Sequence, residues 1–270
     1  MSKKSISITG CGWLGTPLAE RLLAGGYSVR GSTTSADKLP ELRKKGIEVY
    51  ELDLAEPIPD AAGPLFQSEI LFLNVPPGVR HGRSVESYRT MMERARAAAG
   101  NGAVRWVILA SSTGVYAGCE GEVNETTETD PPTRSGKAVR AAEQVWVEFE
   151  ARTILRFAGL AGPERRPARW VAGKKNLADA NKPVNMVHLT DCLNIVEKLL
   201  EKELHGIFNV CADRHPSRQE FYEAQCRRDG LPQPEFRTPE RAGTDYKLVS
   251  NQKLREQLDY AYEYPDPCDF

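Results

Sequence analysis

The chain has 270 residues, 40% hydrophobic and 27% charged, with 36 Lys and Arg against 37 Asp and Glu for a net charge of −1. That length can bury a full core, and the near-zero charge argues against a phosphate-driven nucleic-acid binder, which usually carries a basic face. No run of about 18 apolar residues offers a transmembrane helix, and the polar N-terminus lacks the apolar segment of a secretory signal, so a cytoplasmic protein that binds neither nucleic acid nor membrane is expected.

Residues 5–9, SISIT, hold β-branched Ile6 and Ile8 and read as a strand. The strand runs into Gly10-x-Gly12-x-x-Gly15. In such a turn the first glycine allows a tight bend, the second lets the main chain approach a pyrophosphate, and the third lets the next helix pack on the sheet. Leu14, Leu18 and Leu22 recur at helical spacing over 13–24, Pro17 suits a first turn, and Gly25-Gly26 suits an end. The helix would turn its N–H groups and positive dipole end toward the anion. This context predicts a dinucleotide site using Gly10, Gly12, Trp13, Leu14 and Gly15. The plain alternative is a glycine-rich turn without a ligand.

A second strand is expected at 27–31, and its exit reads Val29-Arg30-Gly31-Ser32-Thr33-Thr34-Ser35. Many NAD-binding units place an acid here to hold the ribose 2′-OH, but this chain has none before Asp37. The hydroxyls of Ser32, Thr33 and Thr34, with Arg30 and Lys38 near, suit a 2′-phosphate, so NADP is favoured over NAD. A polar turn that tolerates either is the other reading. A helix at 36–45 and a strand at 47–52 follow. Asp53, with Leu54, ends the third strand and suits two roles equally, accepting from an adenine amino group or capping the next turn. The strand at 69–74 contains Ile70-Leu71-Phe72-Leu73, an apolar run that fits burial on both faces. Asn74, Val75 and Pro76 at its end are expected to line the cofactor crevice, because ligands sit at the carboxyl ends of the strands.

Helices at 84–99 and 137–150 and strands at 104–110 and 152–156 complete the alternation. It implies right-handed βαβ units and a parallel sheet covered on both faces, a Rossmann-type doubly wound α/β fold with a small C-terminal α/β substrate-binding portion. The expected division is a Rossmann domain over 1–160, with 184–212 adding to its sheet, and a smaller portion made of 161–183 and 213–270. Within these lie a loop over 161–185, a strand-helix pair from Val184 to Leu204, a strand at 206–211, and a tail over 212–270 rich in Pro, Arg and aromatics. Val145, Trp146, Val147 and Phe149 give 137–150 more apolar surface than one buried face requires, which raises a homodimer through this helix and 84–99. The six cysteines (Cys11, Cys119, Cys192, Cys211, Cys226 and Cys268) form no CxxC pair and have no His at zinc spacing. They are expected to be reduced packing residues, with no metal site.

Five stretches, in order, resemble the extended branch of the short-chain dehydrogenase/reductase superfamily, the NAD-dependent epimerases and dehydratases. They are TGCGWLG at 9–15, ASSTGVYAG at 110–118, TILRFAGLAGPERRP at 153–167, NMVHLTD at 185–191 and GIFNVCAD at 206–213. That family uses a Tyr-x-x-x-Lys pair, whose lysine lowers the tyrosine pKa so that the phenol moves a proton while hydride passes to or from the nicotinamide. A Ser or Thr on its fifth strand holds the substrate oxygen. The resemblance places that hydroxyl at Ser112, with Thr113 as runner-up; the plain alternative is that Ser112 satisfies a strand-end backbone group. Aligned on Gly136 and Glu143, however, Ser135 stands in place of the tyrosine and Val139 in place of the lysine. The chain therefore resembles an atypical member with a degraded or rebuilt acid-base site. Tyr116 and Ser135 are further catalytic candidates, although an aromatic packed under the loop is the favoured reading of Tyr116. Lys137 lies two positions from the lost lysine, on nearly the opposite helix face, and reads as a solvated charge. Arg165 and Arg166, with Arg169, are placed on the substrate side, where guanidinium groups suit nucleotide phosphates; a solvent-facing loop paired with Glu164 is the equal alternative. His188 joins the substrate side, where a satisfied structural histidine is a better reading than a base, and Asp191 reads as a helix cap.

The resemblance implies an NADP-preferring (or NAD-using) oxidoreductase or epimerase-like protein acting on a small carbonyl or sugar-nucleotide substrate with a non-standard acid-base site. The missing pair leaves open a catalytically inactive dinucleotide-binding sensor or scaffold. A methyltransferase with a similar glycine turn is disfavoured, because the acid that would hold a ribose diol is absent.

Overall fold

A computed structural model describes residues 4–237 and 246–270. In chain order the elements are β1 (Ser5–Thr9), α1 (Gly15–Ala24), β2 (Ser28–Thr33), α2 (Leu39–Lys44), β3 (Glu48–Glu51), β4 (Ile70–Leu73), α3 (Val85–Asn101), β5 (Trp106–Ser112), β6 (Gly121–Val123), α4 (Arg134–Trp146), β7 (Arg152–Phe157), β8 (Gly159–Ala161), β9 (Met186–His188), α5 (Leu189–Lys202), β10 (Gly206–Val210), α6 (Arg218–Arg228), β11 (Lys247–Val249) and α7 (Gln252–Leu258). The central sheet has seven strands in the order β10-β7-β5-β4-β1-β2-β3. The pairs β1–β2, β1–β4, β2–β3 and β4–β5 are parallel. Ile6 lies opposite Ile70 and Ile8 opposite Phe72. Strand order reverses between β1 and β4, and ligands of open α/β sheets bind in the crevice at such a switch point.

The chain divides into two compact units. One comprises Met1–Val115, Pro131–Leu155 and Glu203–Ile207; the other comprises Tyr116–Asp130, Arg156–Lys202 and Phe208–Phe270. In the first, Leu71 and Leu73 of β4 and Val107 and Leu109 of β5 are buried against Met91, Met92 and Ala95 of α3 and Ala142 and Trp146 of α4. The apolar run in β4 has no exposed residue, as burial on both faces requires. In the second, Ala161, Val184, Met186, Ala212, Phe221 and Phe270 form a separate core.

Several elements depart from the sequence expectation. Of 184–212, β10 joins the central sheet, whereas β9 pairs in parallel with β8 as a separate two-stranded sheet. The stretch 116–130 belongs to the second unit, so the chain crosses between the units more often than a boundary at 160 allows. The tail holds α6, β11 and α7; its residues 238–245 lie outside the described residues. Helix α4 starts at Arg134, three residues early, because the Thr133 side chain caps it by accepting the Gly136 N–H at 3.1 Å. Its apolar excess is absorbed internally. Val145 and Trp146 are buried, Phe149 packs on the same core, and only Val147 is strongly exposed, at 52%. Among the described residues no helix is long and apolar enough to cross a membrane, and all six cysteines are free thiols.

Candidate functional site

The turn after β1 is built from main chain. Gly10 has φ +94°, which glycine adopts without strain. A Cβ there would stand 2.5 Å from the Asn74 carbonyl oxygen, and one on Gly15 would stand 2.3 Å from the Gly10 carbonyl oxygen. A Cβ on Gly12 would meet nothing within 4 Å. The first and third glycines are thus required by the fold, and the second fronts open space. Three groups hold the turn. The Ser32 hydroxyl accepts the Gly10 N–H at 3.2 Å, the Ser32 carbonyl accepts the Cys11 N–H at 2.7 Å, and the Asn74 amide donates to the Gly10 carbonyl at 3.0 Å. Leu14 stands at the N-cap of α1 with its side chain buried. No side chain caps that end, and its first turn holds no acid. The positive helix end therefore faces the crevice without a competing carboxylate, which suits an anion. Trp13 is half-buried beside it. Cys11 packs inward beneath this turn, where burial pushes its thiol up to about 11, so it is no nucleophile at neutral pH.

At the β2 exit, Ser32 and Thr33 are buried, and the Thr33 hydroxyl accepts the Ser35 N–H at 3.2 Å. Thr34 and Lys38 are exposed. Arg30 turns to β3, bonding Glu48 at 3.2 Å and the Ser68 hydroxyl at 3.1 Å. Arg30 is thereby committed within the sheet, and Thr34 and Lys38 are exposed polar groups at this edge. Asp53 accepts the Ala55 N–H at 2.9 Å through one oxygen, the turn-capping role, and its exposed second oxygen has no partner among the described residues. Leu54 is buried, and its carbonyl accepts from Arg94. The Asn74–Pro76 crest is fixed from behind: the Tyr88 hydroxyl donates to the Val75 carbonyl at 2.8 Å and Arg83 donates to that of Pro76 at 3.2 Å.

The exit of β5 meets the start of α4. Ser112 is half-buried, and its hydroxyl accepts the Gly114 N–H at 3.1 Å, satisfying a strand-end backbone group. Thr113 is buried. A Cβ on Gly136 would lie 2.7 Å from the Gly114 carbonyl oxygen, so α4 begins in direct contact with this loop. Ser135 is exposed on the first turn of α4, Val139 is buried, and Lys137 is exposed. Glu143, on the same face one turn beyond Val139, is buried and accepts from the Ser111 hydroxyl. In the sequence Glu143 stands out only by its i, i+4, i+8 spacing from Ser135 and Val139, the one signal that sets it on their helix face.

In the second unit Tyr116 is 0% exposed. Its hydroxyl accepts from Arg156 at 2.7 Å and donates to Asn209 at 2.9 Å. That phenol is an interior tie, as the favoured packed reading of the sequence has it and not the catalytic one, and burial raises its pKa against the pull of Arg156. Arg165, Arg166 and Arg169 are exposed, and Arg166 pairs with Asp229 at 2.6 Å rather than with Glu164. Asp191 does not cap α5. Fully buried, it accepts from the Tyr260 hydroxyl and from the Glu263 and Tyr264 N–H groups, because a sealed carboxylate needs several donors. His188 lies beside it, mostly buried.

No family model matches the chain. Protein YeeZ of Escherichia coli K12 is 36% identical over 271 residues, covering 98% of this chain and 97% of its own. A solved candidate NAD-dependent epimerase/dehydratase from Methylobacillus flagellatus is 27% identical, covers 97% of this chain and 94% of its own, and has a TM-score of 0.78. The chain belongs to the NAD-dependent epimerase/dehydratase branch of the short-chain dehydrogenase/reductase superfamily. It shares a family with YeeZ, and it shares the fold of UDP-glucuronic acid 4-epimerase from Bacillus cereus, solved in complex with NAD (17% identity, 98% and 93% coverage, TM-score 0.79).

Proposed function

We propose that the chain is a nicotinamide-dinucleotide-dependent oxidoreductase or epimerase-like enzyme, preferring NADP, that acts on a small carbonyl or sugar-nucleotide substrate. The observation that carries this reading is the open space at Gly12, framed by two glycines that have no room for a side chain. The diphosphate would lie against Gly12 and the start of α1, the adenosine end against Thr34, Lys38 and Asp53, and the Asn74–Pro76 crest would flank it. When bound, the nicotinamide supplies a hydride acceptor or donor. Around it the chain contributes hydroxyls: Ser112 to hold a substrate oxygen, with Thr113 and Ser135 near the same junction. Arg165, Arg166 and His188 are assigned to the substrate. Calorimetry with NADPH and NADH tests the reading. NADPH is expected to bind more tightly, and Gly12→Val to lose about 100-fold or more in affinity, roughly 2.7 kcal/mol, while its fold is kept. An absence of heat with both nucleotides overturns the proposal. For Ser112→Ala, turnover should fall with cofactor affinity retained.

A second reading, a dinucleotide-binding sensor or scaffold, rests on Val139 being buried where the family's lysine stands and on Tyr116 being enclosed. Tight binding without hydride transfer across carbonyl and sugar-nucleotide panels would select it.

A further inference from the structure

We propose that His188 is a fixed, neutral hydrogen-bond donor through Nε2, and that Asp191 is the positioning residue that keeps it so by clasping segment 260–264, with the Tyr264 ring, over the imidazole. All the groups concerned lie in the second unit. His188 ends β9, and its Nδ1 accepts the Thr190 N–H at 3.3 Å. A ring nitrogen that accepts carries no proton, so the single proton of the neutral ring sits on Nε2. Among the described residues Nε2 has no hydrogen-bond partner, and it is not one of the fully enclosed polar atoms. The ring is otherwise covered. Tyr264 lies over it with centroids 4.0 Å apart and a 35° tilt, Phe270 closes another side at 5.5 Å, and 8% of the residue is exposed.

Asp191 accounts for the cover. One carboxylate oxygen accepts the Tyr260 hydroxyl at 2.6 Å and the Glu263 N–H at 2.8 Å, and the other accepts the Tyr264 N–H at 3.1 Å. From α6, Gln225 donates to the Pro267 carbonyl at 2.9 Å, and Phe270 packs in the second core. One buried carboxylate thus fixes the chain from Tyr260 to Tyr264, and Gln225 holds it again at Pro267 beyond the covering ring. Protonation at Nδ1 would set a donor against the Thr190 N–H and place a charge in this apolar cover. Burial lowers the His188 pKa; Arg228 acts in the same direction, and Asp191 and Glu263 oppose them. The ring therefore offers an N–H to a carbonyl, hydroxyl or phosphoryl oxygen, and does not serve as a general base through Nε2.

The inference is independent of the dinucleotide reading, which calorimetry tests separately. Two-bond ¹H–¹⁵N correlation spectra of the full ¹⁵N-labelled chain read the state of each imidazole directly. The chain has four histidines, and His188→Gln assigns the signal. The expected result is one Nε2–H tautomer, persisting as pH falls below about 6.5, the ordinary imidazole value. A protonated Nδ1 at neutral pH, or an even mixture of tautomers, overturns the donor. Asp191→Asn sets an amide donor among three donors and should bring up the second tautomer; an unchanged signal in the folded variant overturns the positioning role, since a merely structural carboxylate would change stability alone. If that variant does not fold, Tyr264→Leu removes the covering ring while keeping the backbone donors. It too should mix the tautomers, and an unchanged signal overturns the clasp.

Discussion

Two strand exits of the first unit are built in opposite ways. Beyond β1 the main chain leaves room: Gly12 fronts open space, and the end of α1 carries neither a capping side chain nor an acid. Where β5 meets α4 the structure satisfies itself. The Ser112 hydroxyl takes the Gly114 N–H, the Thr133 hydroxyl takes the Gly136 N–H, Gly136 fits against the Gly114 carbonyl, and Val139 is buried. The difference separates shape from side-chain chemistry. The first exit is defined by backbone shape, which three glycines preserve. The second depends on particular side chains, and it presents Ser135 exposed and Val139 buried.

The contrast breaks most severely at Gly15. Gly15→Ala would place a methyl 2.3 Å from a backbone oxygen, and the expected cost is about 3 kcal/mol or more in urea unfolding, from overpacking plus backbone strain. Gly12→Val in the same turn should leave that midpoint nearly unchanged; equal losses at both positions would mean that the open space is not real. At the other exit, Glu143→Ala strands the Ser111 hydroxyl and empties a buried position, for about 2–3 kcal/mol, with Glu143→Gln milder. A neutral Glu143→Ala would show that the junction is not held by this pair.

Acid should weaken the second unit. Burial is the largest cause holding His188 and His215 below the ordinary imidazole pKa. The unfolded chain then binds more protons than the folded one as pH falls through about 6.5, so stability is lost on acidification and regained above it. Thermal midpoints from about pH 7 to 5 should decline less steeply in His188→Gln than in the parent, and parallel curves would contradict the buried neutral ring. Smallest of all, Lys137→Ala on the exposed face of α4 should stay within about 0.5 kcal/mol of the parent. A larger loss would give that lysine a role at the junction.

How far each site could be read from residues follows the same division. The glycine turn, the doubly buried β4 and the hydroxyl-rich β2 exit were legible because local backbone demands appear in adjacent residues. Tyr116 and Asp191 were not. The partners of Tyr116 lie 40 and 93 positions away, and those of Asp191 lie 69 to 73 away, distances at which side-chain type says nothing about pairing. Helix α6 was missed because RQEFYEAQCRR shows almost no apolar stripe, burying only Phe221, Gln225 and Cys226. Its capping box at Ser217 and Glu220 was the readable sign.

Gly31 and Cys11 divide one volume between two positions. A methyl on Gly31 would lie 2.5 Å from the Cys11 sulfur and 2.9 Å from Ile47 Cγ2. Gly31 therefore cannot enlarge alone. A lineage that gains a side chain there must first shrink the residue inside the β1 turn, so a larger residue at 31 should be inherited only with a smaller one at 11, and Gly31→Ala should be tolerated better in a Cys11→Gly background than in the parent, with only Ile47 left to give way.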